Sequence, residues 1–346
     1  MDASATQSLP PVPEIEPIPL IDQGRRGAVV LLDAAPGRAA ALREIGERHY
    51  SRLGLRLGDA VGRAWLRRND NPYRDEIEAV AARLGGPGGV ALNLSYEYAC
   101  TGLVGPDPTG SGMRLLRVLD WRLDGLGRNV VVAQVQAPAG DYHNVTWPGA
   151  VGVLTAMAPG RFAAAIHQAP LRTHSLTTLG DWAVNRARVW CSRGLPPAHL
   201  LRHVFEHCRD YPSARQQLAE TPVAIPAIFL LAGVAPGECC IIERVEDEAA
   251  IHDGAGIWAN DWRTTGFAGN WHARGADNPG RCAGLAALAD QPSDGFAWLR
   301  PPVLHRDTRL AVRANAATAE LAVLGIEAER PATQEFIFRN KGLNAA

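Results

Sequence analysis

A run of five residues, Gly85–Gly89, divides two kinds of sequence pattern in this chain of 346 residues. Before it, Ile77, Val80, Ala81 and Leu84 recur at helical spacing, and Gly-Gly-Pro-Gly-Gly ends that helix because it combines backbone freedom with a proline. After it, short apolar runs follow one another closely between Gly and Pro turns, which is typical of an antiparallel sheet. Any fold for this chain must therefore place a helical group against a sheet.

The order of predicted elements favours a layered α+β fold over alternating βαβ units. We predict helices over 37–67, 75–84, 182–191 and 197–208, another beginning near residue 212, and one near 314–324. The predicted strands cover 27–33, 90–98, 100–104, 113–121, 128–136, 150–157, 161–167, 227–234 and 238–245. Residues 1–22 are rich in proline and are expected to form an extended arm.

Composition excludes several function classes. A net charge of −1 leaves no basic footprint for nucleic acid. No apolar run is long enough for an integral membrane segment, and residues 1–18 do not resemble a secretory signal, so we expect a cytoplasmic protein. The six cysteines are too few for a disulfide scaffold, and no C-x-x-C pair predicts a structural zinc site. We expect no cofactor, and the oligomeric state is unknown.

Cys100 is the strongest candidate for chemistry. It lies in an apolar strand-like run, and a second run over 113–121 supplies Arg117 and Asp120 nearby. A cation and a carboxylate beside a thiol can tune a sulfur nucleophile. A small buried hydrophobe is the alternative interpretation of Cys100, and a surface ion pair is the alternative for Arg117 and Asp120.

Several separate motifs, in a fixed order, resemble the cysteine-type N-terminal-nucleophile (Ntn) hydrolases. The likeness is to the branch of acid ceramidase and N-acylethanolamine acid amidase, with penicillin acyltransferases and choloylglycine (bile-salt) hydrolases as more distant relatives. The resemblance covers about residue 75 to the end of the chain. The motifs are Pro72–Ile77, Leu92–Glu97, Cys100–Thr101, Arg117–Asp120, Ala219–Pro222, Leu231–Gly233, Ile242–Arg244, Gly269–Trp271 and Asn278–Arg281.

The resemblance implies a four-layer αββα sandwich that is made as an inactive precursor. Cleavage of the Ala99–Cys100 bond would give an N-terminal segment, 1–99, and a catalytic segment, 100–346, which together form one globular unit. The freed α-amine of Cys100, with an ordinary pKa of about 7.7–8, could then act as general base for its own thiol.

The resemblance also implies roles for the other site residues. Arg117 would lower the thiol pKa and hold the substrate carbonyl, and Asp120 would orient the α-amine. Asn270 would donate to the oxyanion, and Arg281 matches the downstream arginine of the branch. Because residues three apart on a strand point to opposite faces, Arg117 and Asp120 both reach Cys100 only if the strand bulges between them.

One position departs from the pattern of the branch. Gln168 stands where the relatives have a glutamate, so substrate handling or the pH optimum should differ. The neighbouring His167 could serve as a base, but the Ntn mechanism needs none, and a half-buried packing histidine is the simpler interpretation. Trp147 and Pro148, with Met157 and Phe162, could line an acyl pocket or simply pack in the core.

The resulting hypothesis is a self-processing amidase that hydrolyses linear carbon–nitrogen bonds in small-molecule N-acyl amides through a Cys100 thioester. An acyltransferase using the same thioester is the alternative among enzymes. An uncleaved, catalytically silent binding member of the family and a thiol hydrolase with a Cys–His dyad also remain open.

Overall fold

A computed structural model describes residues 15–95, 97–175, 177–288 and 295–339. The eight helices of these residues are α1 (Val29–Ala34), α2 (Pro36–Tyr50), α3 (Arg52–Asn69), α4 (Arg74–Leu84), α5 (Thr178–Cys191), α6 (Pro197–His207), α7 (Tyr211–Glu220) and α8 (Asn278–Ala286). Among them, no helix is both long and apolar enough to span a bilayer.

Most strands of the described residues pair with an antiparallel neighbour. They are β1 (Leu20–Gly24), β2 (Tyr98–Pro106), β3 (Met113–Trp121), β4 (Val131–Val135), β5 (Tyr142–Thr146), β6 (Thr155–Ala158), β7 (Phe162–Gln168), β8 (Leu171–Thr173), β9 (Ala227–Ala232), β10 (Cys239–Val245), β11 (Glu248–Asp253), β12 (Gly256–Trp258), β13 (Asn270–His272), β14 (Thr308–Asn315), β15 (Glu320–Glu327), β16 (Arg330–Pro331) and β17 (Phe336–Arg339).

Two large sheets form the centre of the molecule. The eight-stranded sheet has the order β1-β4-β5-β6-β7-β9-β10-β11, and the seven-stranded sheet has the order β12-β2-β3-β14-β15-β16 with β17 also paired to β15. Strands β8 and β13 form a separate two-stranded ribbon. Only β1 pairs in parallel among the strands of the first sheet, and it joins β4 at the edge.

Three apolar clusters separate four layers. One cluster lies between the two sheets and includes Cys100, Leu119 and Leu230. A second joins the eight-stranded sheet to helices α1, α4, α6 and α7. A third covers the outer face of the seven-stranded sheet, where α8 contributes Leu285 and the following segment contributes Trp298. The predicted α+β fold, a four-layer αββα sandwich, is confirmed.

The strand predicted at 27–33 is wrong, because Val29–Ala34 is a helix. A short, buried apolar run fits a strand and a helix equally well by periodicity. A tertiary contact decides between them: the Glu76 carboxylate of α4 accepts a hydrogen bond of 2.7 Å from Ala28 N, at the start of the helix. The sequence of the short run contains no signal for that distant carboxylate.

The helix predicted near 314–324 is also wrong, because these residues belong to the β14–β15 hairpin. Alanine and leucine favour helices, but here both faces of both strands are buried, as in a central strand. The hairpin turn ends at Ala319, whose φ is +52°.

Several boundaries also differ from the prediction. Residues 92–94 form a single 3-10 turn rather than a strand, and β6 begins only at Thr155. Strand β5 was not predicted. Of the arm predicted at 1–22, residues 1–14 lie outside the described part of the chain, and Leu20 begins β1.

Gly102 lets the two sheets approach closely behind Cys100. A Cβ atom at this position would lie 2.7 Å from Leu230 Cδ2, 2.8 Å from Leu116 O and 2.9 Å from His167 Nε2. Two of these atoms belong to the opposite sheet, so a side chain here would force the sheets apart.

We therefore expect Gly102→Ala to lower the free energy of unfolding by about 1–3 kcal/mol, the usual effect of overpacking. Urea unfolding followed by tryptophan fluorescence measures it. Gly266→Ala is the matched control, because nothing lies within 4 Å of its added Cβ. Equal stability of Gly102→Ala and the wild type would contradict the close packing.

Candidate active site

The Cys100 side chain lies between the two sheets and is fully buried. Its Sγ accepts a hydrogen bond from Arg117 Nη2 at 3.3 Å and lies 3.7 Å from the carbonyl oxygen of Ile166. Strand register explains the pairing, since Arg117 is opposite Gly102 on the adjacent strand β3 and points to the same inner face as Cys100. The predicted contact between thiol and cation is therefore present.

Arg117 is held rigidly by the opposite sheet. Its Nη2 also donates to the carbonyl oxygen of Ile166 at 3.1 Å, and its Nη1 donates to Thr155 Oγ1. These partners lie on β7 and β6, so the guanidinium bridges both sheets beside the thiol. A fixed cation at this distance can stabilise negative charge that develops on sulfur or on an attached oxygen.

The net shift of the thiol pKa differs from our expectation. Burial raises the pKa of Cys100, and this effect outweighs the lowering by Arg117. Asp120 raises it further, and Arg281 lowers it. In the intact chain the thiol is therefore held in its neutral form, closed off from solvent, rather than poised as a thiolate.

Asp120 lies on the other face of β3, away from the Cys100 thiol. The β2–β3 register runs without a shift, so the strand does not bulge between Arg117 and Asp120 as their common contact with Cys100 would require. The shift occurs instead in β14, between Thr308 and Leu310. Thr308 Oγ1 donates to Asp120 Oδ1 at 3.0 Å.

Arg281 connects Asp120 to the nucleophile. From α8, its Nη1 donates to Asp120 Oδ2 at 2.8 Å, to Thr101 Oγ1 at 2.8 Å and to the carbonyl oxygen of Cys100 at 3.1 Å. Only 1% of its side chain is exposed. The predicted downstream arginine thus lies at the site, and Asp120 reaches Cys100 through it.

Asn270 is not brought to the nucleophile. It lies exposed on β13, opposite Thr173, in the two-stranded ribbon. Asn260 occupies the position beside Cys100 instead: its Oδ1 accepts a hydrogen bond of 2.8 Å from Cys100 N, and its Nδ2 donates to the carbonyl oxygen of Gln168 at 2.7 Å.

The register of β12 explains why Asn260, and not Asn270, lies beside Cys100. Trp258 is opposite Gly102, so two residues further along antiparallel strands Asn260 comes opposite Cys100. Its side chain continues the ladder where β12 has ended. In the sequence, Asn260 directly follows a short apolar run at 257–259. This pattern indicates a site residue only once the β12–β2 pairing is known.

His167 and Gln168 lie at the end of β7, close to this asparagine. His167 is fully buried rather than half-buried, and its Nδ1 lies 3.3 Å from the carbonyl oxygen of Ala259. Burial, with a smaller effect of Arg117, lowers the pKa of His167 well below its usual range. It is therefore neutral. Gln168 is also buried, and its side-chain amide supplies no negative charge at that position.

A cavity of about 840 Å³ is lined by the residues that directly precede Cys100 in the chain. Its wall includes Glu97, Tyr98 and Ala99, and also Gln168 and Asp120, but not Cys100 itself. The residues that precede the nucleophile thus stand between the thiol and the open space. Among the described residues, no group of three or more His, Cys, Asp or Glu side chains could hold a metal ion.

His305 adds a titratable group to the site that the sequence did not reveal. It lines the cavity, and its Nε2 lies 3.1 Å from Asp120 Oδ2. This contact raises the pKa of His305, while burial and the nearby Arg281 oppose the rise and Asp307 adds to it. The imidazolium and the Asp120 carboxylate therefore stabilise each other.

Because the pKa of His305 is raised on folding, its contribution to stability is complete below its ordinary pKa of about 6.5 and disappears as pH rises through the folded value. We expect His305→Gln to remove that part of the pH dependence, by less than about 1 kcal/mol for a partly exposed pair. Urea unfolding at several pH values, with both proteins carrying Cys100→Ala, tests it. Parallel pH profiles would contradict the pairing.

Comparison with known proteins finds relatives by sequence and by structure. No protein-family model matches the chain. A probable acid ceramidase from Caenorhabditis elegans is 29% identical over 215 residues, which are 56% of this chain and 52% of the relative. An N-acylethanolamine-hydrolyzing acid amidase from Cavia porcellus is 25% identical over 223 residues, or 62% and 59% of the two chains. The chain thus spans about half the length of the first of these relatives.

A solved structure gives a matching fold. The N-acylethanolamine-hydrolyzing acid amidase ortholog of Caenorhabditis elegans superposes with a TM-score of 0.50 at 17% identity, covering 63% of this chain and 93% of that one. This likeness concerns the fold alone. Together, these proteins confirm the resemblance of the chain to the acid ceramidase and N-acylethanolamine acid amidase branch of the cysteine Ntn hydrolases.

Proposed function

We propose that this protein is a self-processing amidase that hydrolyses linear N-acyl amides through a thioester on Cys100. One observation carries the proposal: separate side chains hold the two atoms of Cys100 that must react. Arg117 donates to its sulfur at 3.3 Å, and Asn260 accepts from its backbone nitrogen at 2.8 Å. The amide-hydrolysing relatives support the same conclusion.

Processing would begin with attack of Cys100 Sγ on the carbonyl carbon of Ala99. A C–S bond forms, the Ala99–Cys100 C–N bond breaks, and the thiol proton passes to the departing nitrogen. Water then hydrolyses the thioester, leaving a carboxylate on Ala99 and a free α-amine and thiol on Cys100. The small Ala99 side chain leaves its carbonyl open to the thiol. The segments 1–99 and 100–346 stay a prediction that depends on this step.

The freed α-amine would act as the general base in turnover. Its ordinary pKa of about 7.7–8 lies near ambient pH. Asn260 Oδ1 already accepts a hydrogen bond from this nitrogen and would keep the amine directed at the thiol. Asp120 would act through Arg281, which binds the Cys100 carbonyl oxygen, and not by direct contact with the amine.

The oxyanion role assigned to Asn270 passes to Asn260 in this proposal. A side-chain amide carries two N–H groups. One of those of Asn260 donates to the Gln168 carbonyl oxygen, and in this proposal the second would donate to a substrate oxygen once processing has opened the site. Together with Arg117 it would stabilise the tetrahedral intermediate at Cys100.

A Cys–His dyad has less support. Among the described residues, the partners of the Cys100 sulfur are Arg117 and the carbonyl oxygen of Ile166, not an imidazole. His167 Nδ1 donates to the carbonyl oxygen of Ala259, and the ring is neutral because it is buried. It packs behind Gly102 rather than acting as a base in this mechanism.

The most direct test of processing is intact-mass measurement of the purified protein. We expect the wild type to give two fragments that meet at Ala99 and Cys100, and Cys100→Ala to give one unbroken, inactive chain. Cys240→Ala is the matched control, because Cys240 is equally buried but lies on β10 in another cluster.

A wild-type chain that stays whole and resists thiol labelling at Cys100 would overturn the enzyme hypothesis. It would favour the remaining alternative, an uncleaved binding member of the family.

The cytoplasmic location also stays a prediction.

Hydrolysis and acyl transfer differ in what captures the thioester. We expect the free acid to remain the main product from a fluorogenic dodecanoyl amide when increasing amounts of an amine are added, because the cavity beside Cys100 is wide enough to admit water. Product analysis by mass spectrometry measures the ratio of acid to new amide. A ratio that falls steadily as amine is added would favour the acyltransferase alternative.

A further inference from the structure

Arg274 lies next to the reacting atoms without a partner for its charge. Its backbone N donates to the carbonyl oxygen of Asn260 at 3.2 Å, and its side chain lines the cavity beside Ala99. The Nε atom is shielded from solvent and has no hydrogen-bond partner. Within the described residues, the Arg274 guanidinium forms neither a hydrogen bond nor an ion pair.

Three other arginines of the same cavity wall are already compensated by carboxylates, whereas Arg186 only lies over the Trp182 ring, 5.7 Å from its centre. Arg172 and Arg188 share the carboxylate of Glu246, at 3.2 and 2.9 Å. Arg122 lies 3.4 Å from Asp307. Arg274 therefore differs from them in having no neutralising carboxylate within ion-pair distance among the described side chains.

Arg274 is half-buried, and taking part of a guanidinium out of water is costly unless an anion pairs with it. Burial lowers the pKa of Arg274, and Glu97 is the acidic residue whose charge opposes that effect. Glu97 lies three residues before Cys100, in the segment 1–99 that stays packed on the rest of the molecule after processing. It lines the same cavity as Arg274, but its Oε2 accepts a hydrogen bond of 3.1 Å from the Tyr50 hydroxyl and it forms no ion pair with Arg274.

An apolar recess adjoins this charged cavity. Its lining is mostly aliphatic and aromatic, and Trp121 belongs to the walls of both spaces. Among the apolar side chains of this recess are Leu42, Ile45, Leu123, Leu126 and Trp147. Of the four side chains proposed from the sequence as an acyl pocket, Trp147 and Pro148 line it, whereas Met157 and Phe162 are fully buried in the core. Trp121 thus borders both a space that suits an acyl chain and a space that suits a charged group.

We propose that the substrate is an N-acyl amino acid, with its acyl chain in the recess beside Trp121 and its carboxylate paired with Arg274. This inference rests on the proposed amidase function and adds the substrate class. Cys100 Sγ forms a thioester with the acyl carbon as the amide C–N bond breaks. The amino acid leaves with the thiol proton, and water releases the fatty acid. A planar guanidinium is suited to a carboxylate because it can donate two parallel hydrogen bonds.

A matched pair of substrates tests the proposal. N-dodecanoylglycine and N-dodecanoylethanolamine differ only in a terminal carboxylate against a hydroxymethyl group. We expect processed wild-type enzyme to favour the glycine amide in kcat/KM by about tenfold or more, as for one charge-assisted pair. Arg274→Gln should reduce this ratio at least tenfold, mainly through KM, because the carboxylate is bound in the ground state as well.

Two further variants make the result specific. Arg274→Lys keeps the charge but loses the two-pronged geometry, so we expect an intermediate ratio. Arg215→Gln removes an equal charge from α7, where Arg215 pairs with Asp253 outside the cavity, and should leave the ratio unchanged. Intact mass shows that each preparation is processed.

The outcomes separate the substrate proposal from the proposed function. Equal hydrolysis of both amides by the wild type, or an unchanged ratio in Arg274→Gln, overturns the carboxylate preference and leaves the amidase standing. If Arg274→Gln fails to process, the wild-type ratio and Arg274→Lys still decide the question. A fully processed wild type that hydrolyses neither amide overturns both proposals.

Discussion

The buried guanidinium of Arg281 is the interaction on which the rest of the site depends. It binds the Asp120 carboxylate, the Thr101 hydroxyl, the Cys100 carbonyl oxygen and the side chain of Asn278. These groups come from β3, β2 and the start of α8, so a single side chain joins the outer helical layer to the strand that carries the nucleophile. Because both charges of the Arg281–Asp120 pair are almost fully shielded, loss of Asp120 would leave Arg281 without a carboxylate, and loss of Arg281 would leave Asp120 with His305 as its ionic partner.

Two opposing effects determine whether the Cys100 thiol ionises. Arg117 stabilises its anion from the inner face, whereas burial between the sheets opposes ionisation more strongly. The cavity approaches only as far as Ala99, so the intact chain keeps the sulfur neutral and covered by its own preceding residues. Breaking one peptide bond would change both conditions together, since it would open the cavity to the thiol and supply a new amine beside it.

The sequence predicted best where the physical cause is local. Strand β3 has the predicted bounds of 113–121, and Arg117 reaches Cys100 because strand alternation places them on one face. The same alternation places Asp120 on the other face, whereas its expected contact with Cys100 required a bulge that the β2–β3 pairing does not have. What the sequence could not show is which distant segment arrives there: Arg281 comes from α8, and Asn260 rather than Asn270 follows from the β12–β2 register. Helix α1 depends similarly on a distant carboxylate, Glu76.

The parallel strand β1 has a consequence for how such a molecule is assembled. Residues 20–24 hydrogen-bond to β4, and α1 and α4 share a core with the eight-stranded sheet, so the part before Cys100 is built into the layers that follow it. A cut at residue 99 would leave two chains joined only by these non-covalent contacts. Reassembly after denaturation would then be a bimolecular reaction that depends on concentration, whereas first folding is unimolecular. The finished protein would retain its structure through slow unfolding rather than through easy refolding.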